Sequence, residues 1–214
     1  MNLTASFVAD TVEGALYGAD HPILSITTDS RNVNEGALFV ALRGPTYDGH
    51  AFIEAAASAG CVAAMVEADR VQQARASGLV TITVEDTLRG LGRLANALRR
   101  RSSAKIIGLT GSSGKTSTKA ICAAMLSAHG LRTHATPGNL NNEVGVPLTL
   151  FGLEQEHEFG VIEMGMNARG EIERLTRIVE PDVGLLINIG WAHVGELGSI
   201  EEVARAKGEL FESA

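Results

Sequence analysis

The chain has 214 residues, of which 45% are hydrophobic and only 4% aromatic, and its formal net charge is −7. This composition is typical of an α/β protein, and the length permits one or two domains. The acidic balance argues against nucleic-acid or membrane-surface binding, and no run of about 18 apolar residues predicts a membrane span. The N-terminus shows no signal-peptide pattern, and Cys61 and Cys122 lie among apolar neighbours, so we expect a reduced, cytoplasmic protein.

The first part of the chain predicts a small mixed α/β domain over residues 1–85. Apolar residues at roughly helical spacing predict a helix over 4–17, with Thr4 as its N-cap. A stretch that ends in glycine predicts a second helix, over 50–60. Short β-rich runs predict strands at 23–28, 37–42, 62–67 and 79–85.

The second part, residues 86–214, alternates strands with helices and predicts a parallel sheet of the P-loop type, covered on both faces. A leucine stripe first predicts a helix over 86–101. Strands then follow at 105–110, 132–136, 159–164 and 183–189, and helices at 115–129, 143–151 (broken by Pro147), 168–179 and 199–211. The alternation stops on a helix, so we expect this chain to be a fragment.

A glycine-rich turn between an apolar strand and an amphipathic helix is the most informative segment. It reads Gly-Ser-Ser-Gly-Lys-Thr over 111–116, a shortened P-loop because Leu109 takes the place of the usual first glycine. Backbone N–H groups of such a loop bind phosphates, Lys115 can reach the terminal phosphates, and the Thr116 hydroxyl can bind Mg²⁺. The predicted nucleotide contacts are Thr110, Gly111, Ser112, Ser113, Gly114, Lys115, Thr116 and Ser117.

Reactive side chains follow two other strands of the predicted sheet. Glu163 ends the strand at 159–164, and His193 follows the strand at 183–189. Taken singly, Glu163 is more simply an acid at a strand end, and His193 is more simply a loop histidine. Because ligands of open parallel sheets bind beyond the carboxyl ends of the strands, their shared edge favours a divalent cation held with Thr116.

Two further features carry less information. Asn139, Asn141 and Asn142 follow the strand at 132–136 and are either turn residues or amide ligands for phosphate or substrate oxygens at the same edge. Lys207 lies on the last predicted helix and, taken by itself, is a solvent-exposed lysine.

Together these segments resemble the Mur ligases of peptidoglycan synthesis. In the second part the resemblance rests on the phosphate loop, on Gly-Asn-Leu-Asn-Asn-Glu-Val-Gly-Val-Pro at 138–147, on Glu-Met-Gly-Met-Asn at 163–167 and on Ala-Lys-Gly-Glu at 206–209. In the first part it rests on Thr-Asp-Ser-Arg at 28–31 and on the segments 36–44 and 48–52. It covers essentially the whole chain, and the asparagine-rich segment is most similar to that of the members that add D-alanyl-D-alanine.

The resemblance implies a ligase that uses ATP and Mg²⁺ to phosphorylate the terminal carboxylate of UDP-N-acetylmuramoyl-tripeptide, after which the amine of D-alanyl-D-alanine attacks the acyl phosphate. Lys115 and Mg²⁺ would neutralise the charge between carboxylate and γ-phosphate. The implied catalytic residues are Lys115, Glu163, His193 and Lys207, and the implied metal ligands are Thr116, Glu163, His193 and Lys207, the last often carbamylated in the family. Asn139 and Asn142 join the implied nucleotide contacts, and the implied substrate contacts are Ser30, Arg31, Pro45, Thr46, Tyr47 and Asn141.

Mur ligases carry more of the ATPase domain and a third, C-terminal domain. We therefore expect this chain to be the N-terminal part of such a ligase and to be inactive alone, and Lys207 to be exposed and unmodified in it. Two alternatives stay open: the sister ligase that adds a diamino acid to UDP-N-acetylmuramoyl-dipeptide, and a non-catalytic module that binds a UDP-sugar or nucleotide. Folate polyglutamate ligases share the phosphate loop but lack the Thr-Asp-Ser-Arg domain. We expect a monomer with no nucleic-acid partner.

Overall fold

The computed structural model describes residues 3–192 and 194–212, so the predicted site residue His193 lies outside the described part of the chain. The chain divides into two units, Met1–Leu94 and Ala95–Ala214. The division falls within helix Thr87–Arg101, whereas the sequence analysis places the domain boundary before this helix. The Thr87 hydroxyl donates a buried hydrogen bond to the carbonyl of Ala41 at 2.9 Å, so the first turn of the helix belongs with the first unit.

The first unit is built on a five-stranded mixed sheet. Its strands are β2 (Ala15–Tyr17), β4 (Ser25–Thr27), β5 (Ala37–Val40), β6 (Cys61–Glu67) and β7 (Val80–Val84), in the order β2–β7–β6–β5–β4. Only β2 runs antiparallel to its neighbour. A separate antiparallel pair joins β1 (Leu3–Thr4) to β3 (Pro22–Ile23). The helices are α1 (Ala5–Val12), α2 (Ile53–Ser58) and α3 (Val71–Ala76), with 3₁₀ turns at Gly49–Phe52 and Ala68–Arg70.

The helix predicted over residues 4–17 is shorter than expected. Its N-cap is Thr4, whose hydroxyl accepts a hydrogen bond from the N–H of Phe7 at 3.3 Å. It ends at Val12 because Glu13 adopts a left-handed conformation, with φ of 56°. The chain then passes close to β7, where a Cβ at Gly14 would lie 2.6 Å from the carbonyl oxygen of Thr83. The residues that follow form β2, because sheet pairing overrides their weak helical pattern.

The second unit is built on a four-stranded parallel sheet. Its strands are β8 (Lys105–Thr110), β9 (Thr133–Ala135), β10 (Phe159–Glu163) and β11 (Val183–Leu186), in the order β11–β8–β10–β9. The helices are α5 (Lys115–Ala128), α6 (Gly145–Phe151), α7 (Glu171–Val179), α8 (Val194–Leu197) and α9 (Ile200–Glu212), and α4 is Thr87–Arg101. The fold class expected from the sequence, a mixed α/β domain followed by a P-loop-type parallel sheet, is confirmed.

The apolar core of the second unit contains buried residues of β8, β10, α6, α7 and α9, among them Ile106, Leu150, Ile162, Leu175 and Leu210. Helix α5 contributes little to it. Among the described residues of α5, Lys119 is the only buried one. The helix that carries the phosphate loop therefore buries a charged side chain towards the sheet.

Pro147 does not break the helix predicted over 143–151. The helix begins at Gly145, so Pro147 lies in its first turn. Backbone N–H groups in a first turn have no intrahelical partner, and a proline there removes no hydrogen bond. The prediction of a break was wrong because it placed the helix start two residues too early.

Candidate nucleotide and metal site

The phosphate loop lies where the sequence predicts it, between the end of β8 at Thr110 and the start of α5 at Lys115. Gly114 precedes the helix with φ of 78°, in the left-handed region that favours glycine. The Lys115 ammonium donates a hydrogen bond to the carbonyl of Gly111 at 2.8 Å, so this side chain folds back over the loop. A cationic group and a helix N-terminus thus face the same turn, which suits an anionic phosphate.

Asn188 lies just beyond the end of β11 and holds the phosphate loop, a role that the sequence analysis did not assign. Its side-chain carbonyl accepts from the N–H of Ser113 at 3.0 Å, and its amide donates to the carbonyl and hydroxyl of Ser113, each at 3.2 Å. Ser112 makes a second link, since its hydroxyl accepts from the N–H of Gly190 at 2.9 Å. Only its place in the sequence pointed to this role, because Asn188 follows the strand that pairs with β8.

Glu163 is buried at the carboxyl edge of the sheet, with 1% of its surface exposed. It ends β10 and lies beside Leu109 of β8, and so next to the phosphate loop. Its Oε1 accepts from the side-chain amide of Asn141 at 2.8 Å and lies 3.5 Å from the Thr116 hydroxyl. Its Oε2 accepts no hydrogen bond from any residue that the structure describes.

A buried lysine that the sequence analysis missed approaches the same carboxylate. The Lys119 ammonium lies 3.3 Å from Oε2 of Glu163 and donates a hydrogen bond to the carbonyl of Gly138 at 2.6 Å. Lys119 follows Lys115 by four residues and Thr116 by three. Residues at such spacings share a helix face, and this spacing was the only available signal.

The three asparagines of the 137–142 segment have different environments. Asn141 contacts the carboxylate of Glu163, as described above. The side-chain carbonyl of Asn142 instead accepts from the N–H groups of Gly145 at 2.8 Å and Val144 at 3.2 Å, so it caps the start of α6. Asn139 is exposed on the turn between them. The structure therefore brings one of the three into direct contact with Glu163.

Lys207 is not exposed, contrary to the expectation from the sequence. Only 1% of its surface is accessible, because α9 packs against α7 and β11. Burial lowers the pKa of Lys207 to about 8, and the positive charge of Lys115 contributes in the same direction. At pH 7 about a tenth of this amine is therefore neutral, far more than in an ordinary lysine, and the neutral form reacts with electrophiles.

A nearby residue of the same Ala-Lys-Gly-Glu segment has a structural role. The two carboxylate oxygens of Glu209 accept from the N–H groups of Gly170 at 2.9 Å and Glu173 at 3.1 Å. A carboxylate at this position balances the partial positive charge of the start of α7. Glu209 thereby fixes α9, and with it Lys207, against α7.

The donor set suits a hard divalent cation. Thr116 offers a hydroxyl oxygen that lies 3.5 Å from carboxylate oxygen Oε1 of Glu163, and oxygen ligands of this kind bind Mg²⁺. Within residues 3–192 and 194–212 no three His, Cys, Asp or Glu side chains cluster in a way that could hold a metal. The described residues therefore supply part of a coordination shell.

The predicted uridine contacts all lie in the first unit, on two exposed turns. The Asp29 carboxylate accepts hydrogen bonds from the Arg31 guanidinium at 2.8 and 2.9 Å and from its N–H at 3.0 Å, and together they lower the pKa of Asp29 to about 2. Ser30 lies between them and is half-buried. Arg31 is thus oriented by its neighbour while its side chain stays exposed.

The second turn carries Pro45, Thr46 and Tyr47, all exposed. The Tyr47 ring stacks on Phe52, with ring centroids 5.8 Å apart and an interplanar angle of 20°. Behind this turn His50 is fully buried, with Nδ1 2.6 Å from the Asp48 carboxylate and Nε2 accepting the N–H of Glu67 at 3.0 Å. His50 therefore joins the turn to β6, a supporting role that the sequence analysis did not assign.

None of the helices in residues 3–192 and 194–212 is both long enough and apolar enough to cross a membrane.

Two family models match the chain in the order of its two units. Residues 22–99 match the catalytic domain of the Mur ligase family, and residues 109–214 match the Mur ligase middle domain. The chain belongs to the Mur ligase family. Within this Mur ligase, the middle-domain match begins just before the phosphate loop and includes Thr116, Glu163 and Lys207.

Several relatives of this Mur ligase share one name. A UDP-N-acetylmuramoyl-tripeptide–D-alanyl-D-alanine ligase from Synechocystis is 46% identical over 90% of this chain and 42% of its own length. The crystal structure of MurF from Acinetobacter baumannii matches with a TM-score of 0.88 at 36% identity, over 100% of this chain and 47% of that one. MurF ligase from Thermotoga maritima in complex with ADP matches with a TM-score of 0.77 at 34% identity, over 89% of this chain and 43% of that one. The chain thus spans about half the length of the relatives it matches.

Proposed function

We propose that the product of the complete gene is the ATP-dependent ligase that joins D-alanyl-D-alanine to UDP-N-acetylmuramoyl-tripeptide. The observation that carries this proposal is the 46% identity to a curated ligase of that name over 90% of the chain. The contact between Thr116 and the buried Glu163 beside the phosphate loop supports it independently. The reaction is cytoplasmic in this proposal, and the protein is a monomer with no nucleic-acid partner.

The second unit binds the nucleotide in this proposal. Residues 110–117 hold the phosphates of ATP, assisted by Asn139 and Asn142, and Lys115 turns from the Gly111 carbonyl to the terminal phosphates. The Thermotoga relative is in complex with ADP, which supports nucleotide binding by this protein. A positive charge at the γ-phosphate lowers the barrier to its approach by a carboxylate.

Mg²⁺ supplies charge neutralisation when it is bound, and Thr116, Glu163, His193 and Lys207 are the residues proposed to hold it. Thr116 and Glu163 are in contact, while His193 lies outside the described residues. Lys207 would first need conversion of its amine to a carbamate by CO₂. This reaction requires a neutral amine, and the lowered pKa of Lys207 supports it.

The first unit binds the uridine nucleotide in this proposal, through Ser30, Arg31, Pro45, Thr46 and Tyr47. The exposed guanidinium of Arg31 suits a diphosphate, and the exposed ring of Tyr47 offers a flat surface for a base. Asn141 lies in the second unit and is assigned to the substrate end of the site. Its present contact is with Glu163, so substrate binding would require it to share or exchange that hydrogen bond.

The decisive experiment measures ADP release by the product of the complete gene with two sets of substrates. The proposal expects turnover with UDP-N-acetylmuramoyl-tripeptide and D-alanyl-D-alanine, and none with the dipeptide precursor and a diamino acid. The reverse pattern would identify the sister ligase. Binding of ATP and UDP-sugar without turnover of either set would identify a non-catalytic module.

A further inference from the structure

Lys119 is the one buried residue among the described residues of α5, and it lies deeper than any apolar side chain of that helix. Ile121 and Met125 of the same helix are 59% and 61% exposed. Lysine is rarely buried unless its charge is paired. A helix that buries its lysine and exposes two of its large apolar residues indicates that the lysine has a specific partner.

That partner is the carboxylate of Glu163, which is also buried. The ammonium lies 3.3 Å from Oε2 and donates a hydrogen bond to the carbonyl of Gly138 at 2.6 Å. Oε1, the other carboxylate oxygen, lies beside Thr116 and Asn141. One oxygen of Glu163 therefore faces a fixed positive charge, and the other faces the proposed metal ligand on the phosphate-loop helix.

We propose that Lys119 is a positioning residue that serves as the internal counter-cation of Glu163. It balances the charge of the buried carboxylate before a metal arrives. It also ties the 137–142 segment to α5 through Gly138. The proposal rests on the proposed function only in naming Mg²⁺ as the cation that Glu163 later shares.

The charge-balancing role predicts a particular pattern of stabilities. Removing one member of a buried ion pair leaves the other charge without a partner and is strongly destabilising, whereas removing both is much less so. Lys119→Met and Glu163→Gln should each lower the melting temperature of the chain, and the double variant should melt above Lys119→Met alone. The double variant, like Lys119→Met, lacks the contact with Gly138. A higher melting temperature in the double variant therefore reports on the charge pair and not on that contact.

Lys105→Met is the matched control. Lys105 also pairs with a carboxylate, that of Asp182 at 2.7 Å, but it is 67% exposed and lies at the opposite end of β8. Exposed ion pairs contribute little to stability, so this control should melt close to wild type. If Lys119→Met does not fold alone, a folded double variant supports the proposal. A double variant no more stable than Lys119→Met overturns it.

Calorimetric binding of ADP at a series of MgCl₂ concentrations gives a second readout, which a merely structural role would not move. The fixed positive charge opposes a dication at Glu163, so Lys119→Met should lower the half-saturating Mg²⁺ concentration by about tenfold. Lys119→Arg, which keeps the charge, should restore the wild-type value. An unchanged or higher Mg²⁺ requirement in Lys119→Met overturns the proposal. If wild type binds no ADP at any Mg²⁺ concentration, the proposed function fails, while the stability comparison still decides the role of Lys119.

Discussion

Replacing Asn141 with alanine removes the hydrogen bond that its amide donates to the buried carboxylate of Glu163. The bond is 2.8 Å long, and the acceptor residue is 1% exposed, so water cannot readily replace the lost donor. Hydrogen bonds to charged groups contribute about 1.5–3 kcal/mol. We expect Asn141→Ala to lower the free energy of unfolding by about that amount.

The two neighbouring asparagines provide internal comparisons with the same chemical change. Asn142 caps α6 through its side-chain carbonyl, so Asn142→Ala should cost about 1 kcal/mol. Asn139 is exposed, and its side chain makes no hydrogen bond with the described residues, so Asn139→Ala should remain within about 0.5 kcal/mol of wild type. The expected order of stability is therefore wild type and Asn139→Ala, then Asn142→Ala, then Asn141→Ala.

Urea unfolding followed by circular dichroism measures these differences, with the slope of free energy against urea compared among the variants. Equal stability of Asn141→Ala and Asn139→Ala would refute the reasoning. That result would mean that Glu163 finds another donor, or that its carboxylate is not held by the 137–142 segment.

In the complete gene product, Lys115→Ala should abolish ADP release and leave binding of the UDP substrate intact, because Lys115 and the proposed uridine contacts lie in different units; unchanged phosphate release would contradict this. Lys207→Ala should lose activity and regain part of it with added short carboxylates, and full activity without them would reduce this lysine to a packing role. Residues 1–101 should fold alone and bind UDP compounds in calorimetry, because the first turn of α4 packs in the first unit; a folded fragment with no UDP binding would count against it. Burial lowers the pKa of His134 below its usual 6.5, so on acidification the unfolded chain takes up a proton at a higher pH than the folded chain does. The free energy of unfolding should therefore fall as the pH drops from about 7 to about 5. Urea unfolding at both pH values should show a smaller loss in His134→Gln and the wild-type loss in His129→Gln, a control at an exposed position.

The element order and the phosphate loop could be predicted because their signals are local. The strand at 105–110 and the helix start at Lys115 follow from short-range patterns, and the structure has both where the sequence analysis placed them. The errors in secondary structure concern the ends of elements and short elements such as helix α3, which the sequence analysis did not predict. The helix predicted over 4–17 ends at Val12 because the residues that follow pair in the sheet. The break predicted at Pro147 depended on where the helix begins, which the sequence analysis placed too early.

The sequence by itself determined the family, the α/β class and the residues that carry phosphate chemistry, because glycine turns, helix starts and apolar periodicity act over a few residues. Only the tertiary structure decided what surrounds Glu163. β10 lies beside β8 although β9 separates them in the chain, and this order brings Glu163 against α5. Lys119, Asn141 and Asn188 acquire their partners through that arrangement, and Lys207 becomes buried through the packing of α9. Burial and ion pairing depend on contacts between residues far apart in sequence, which no local pattern specifies.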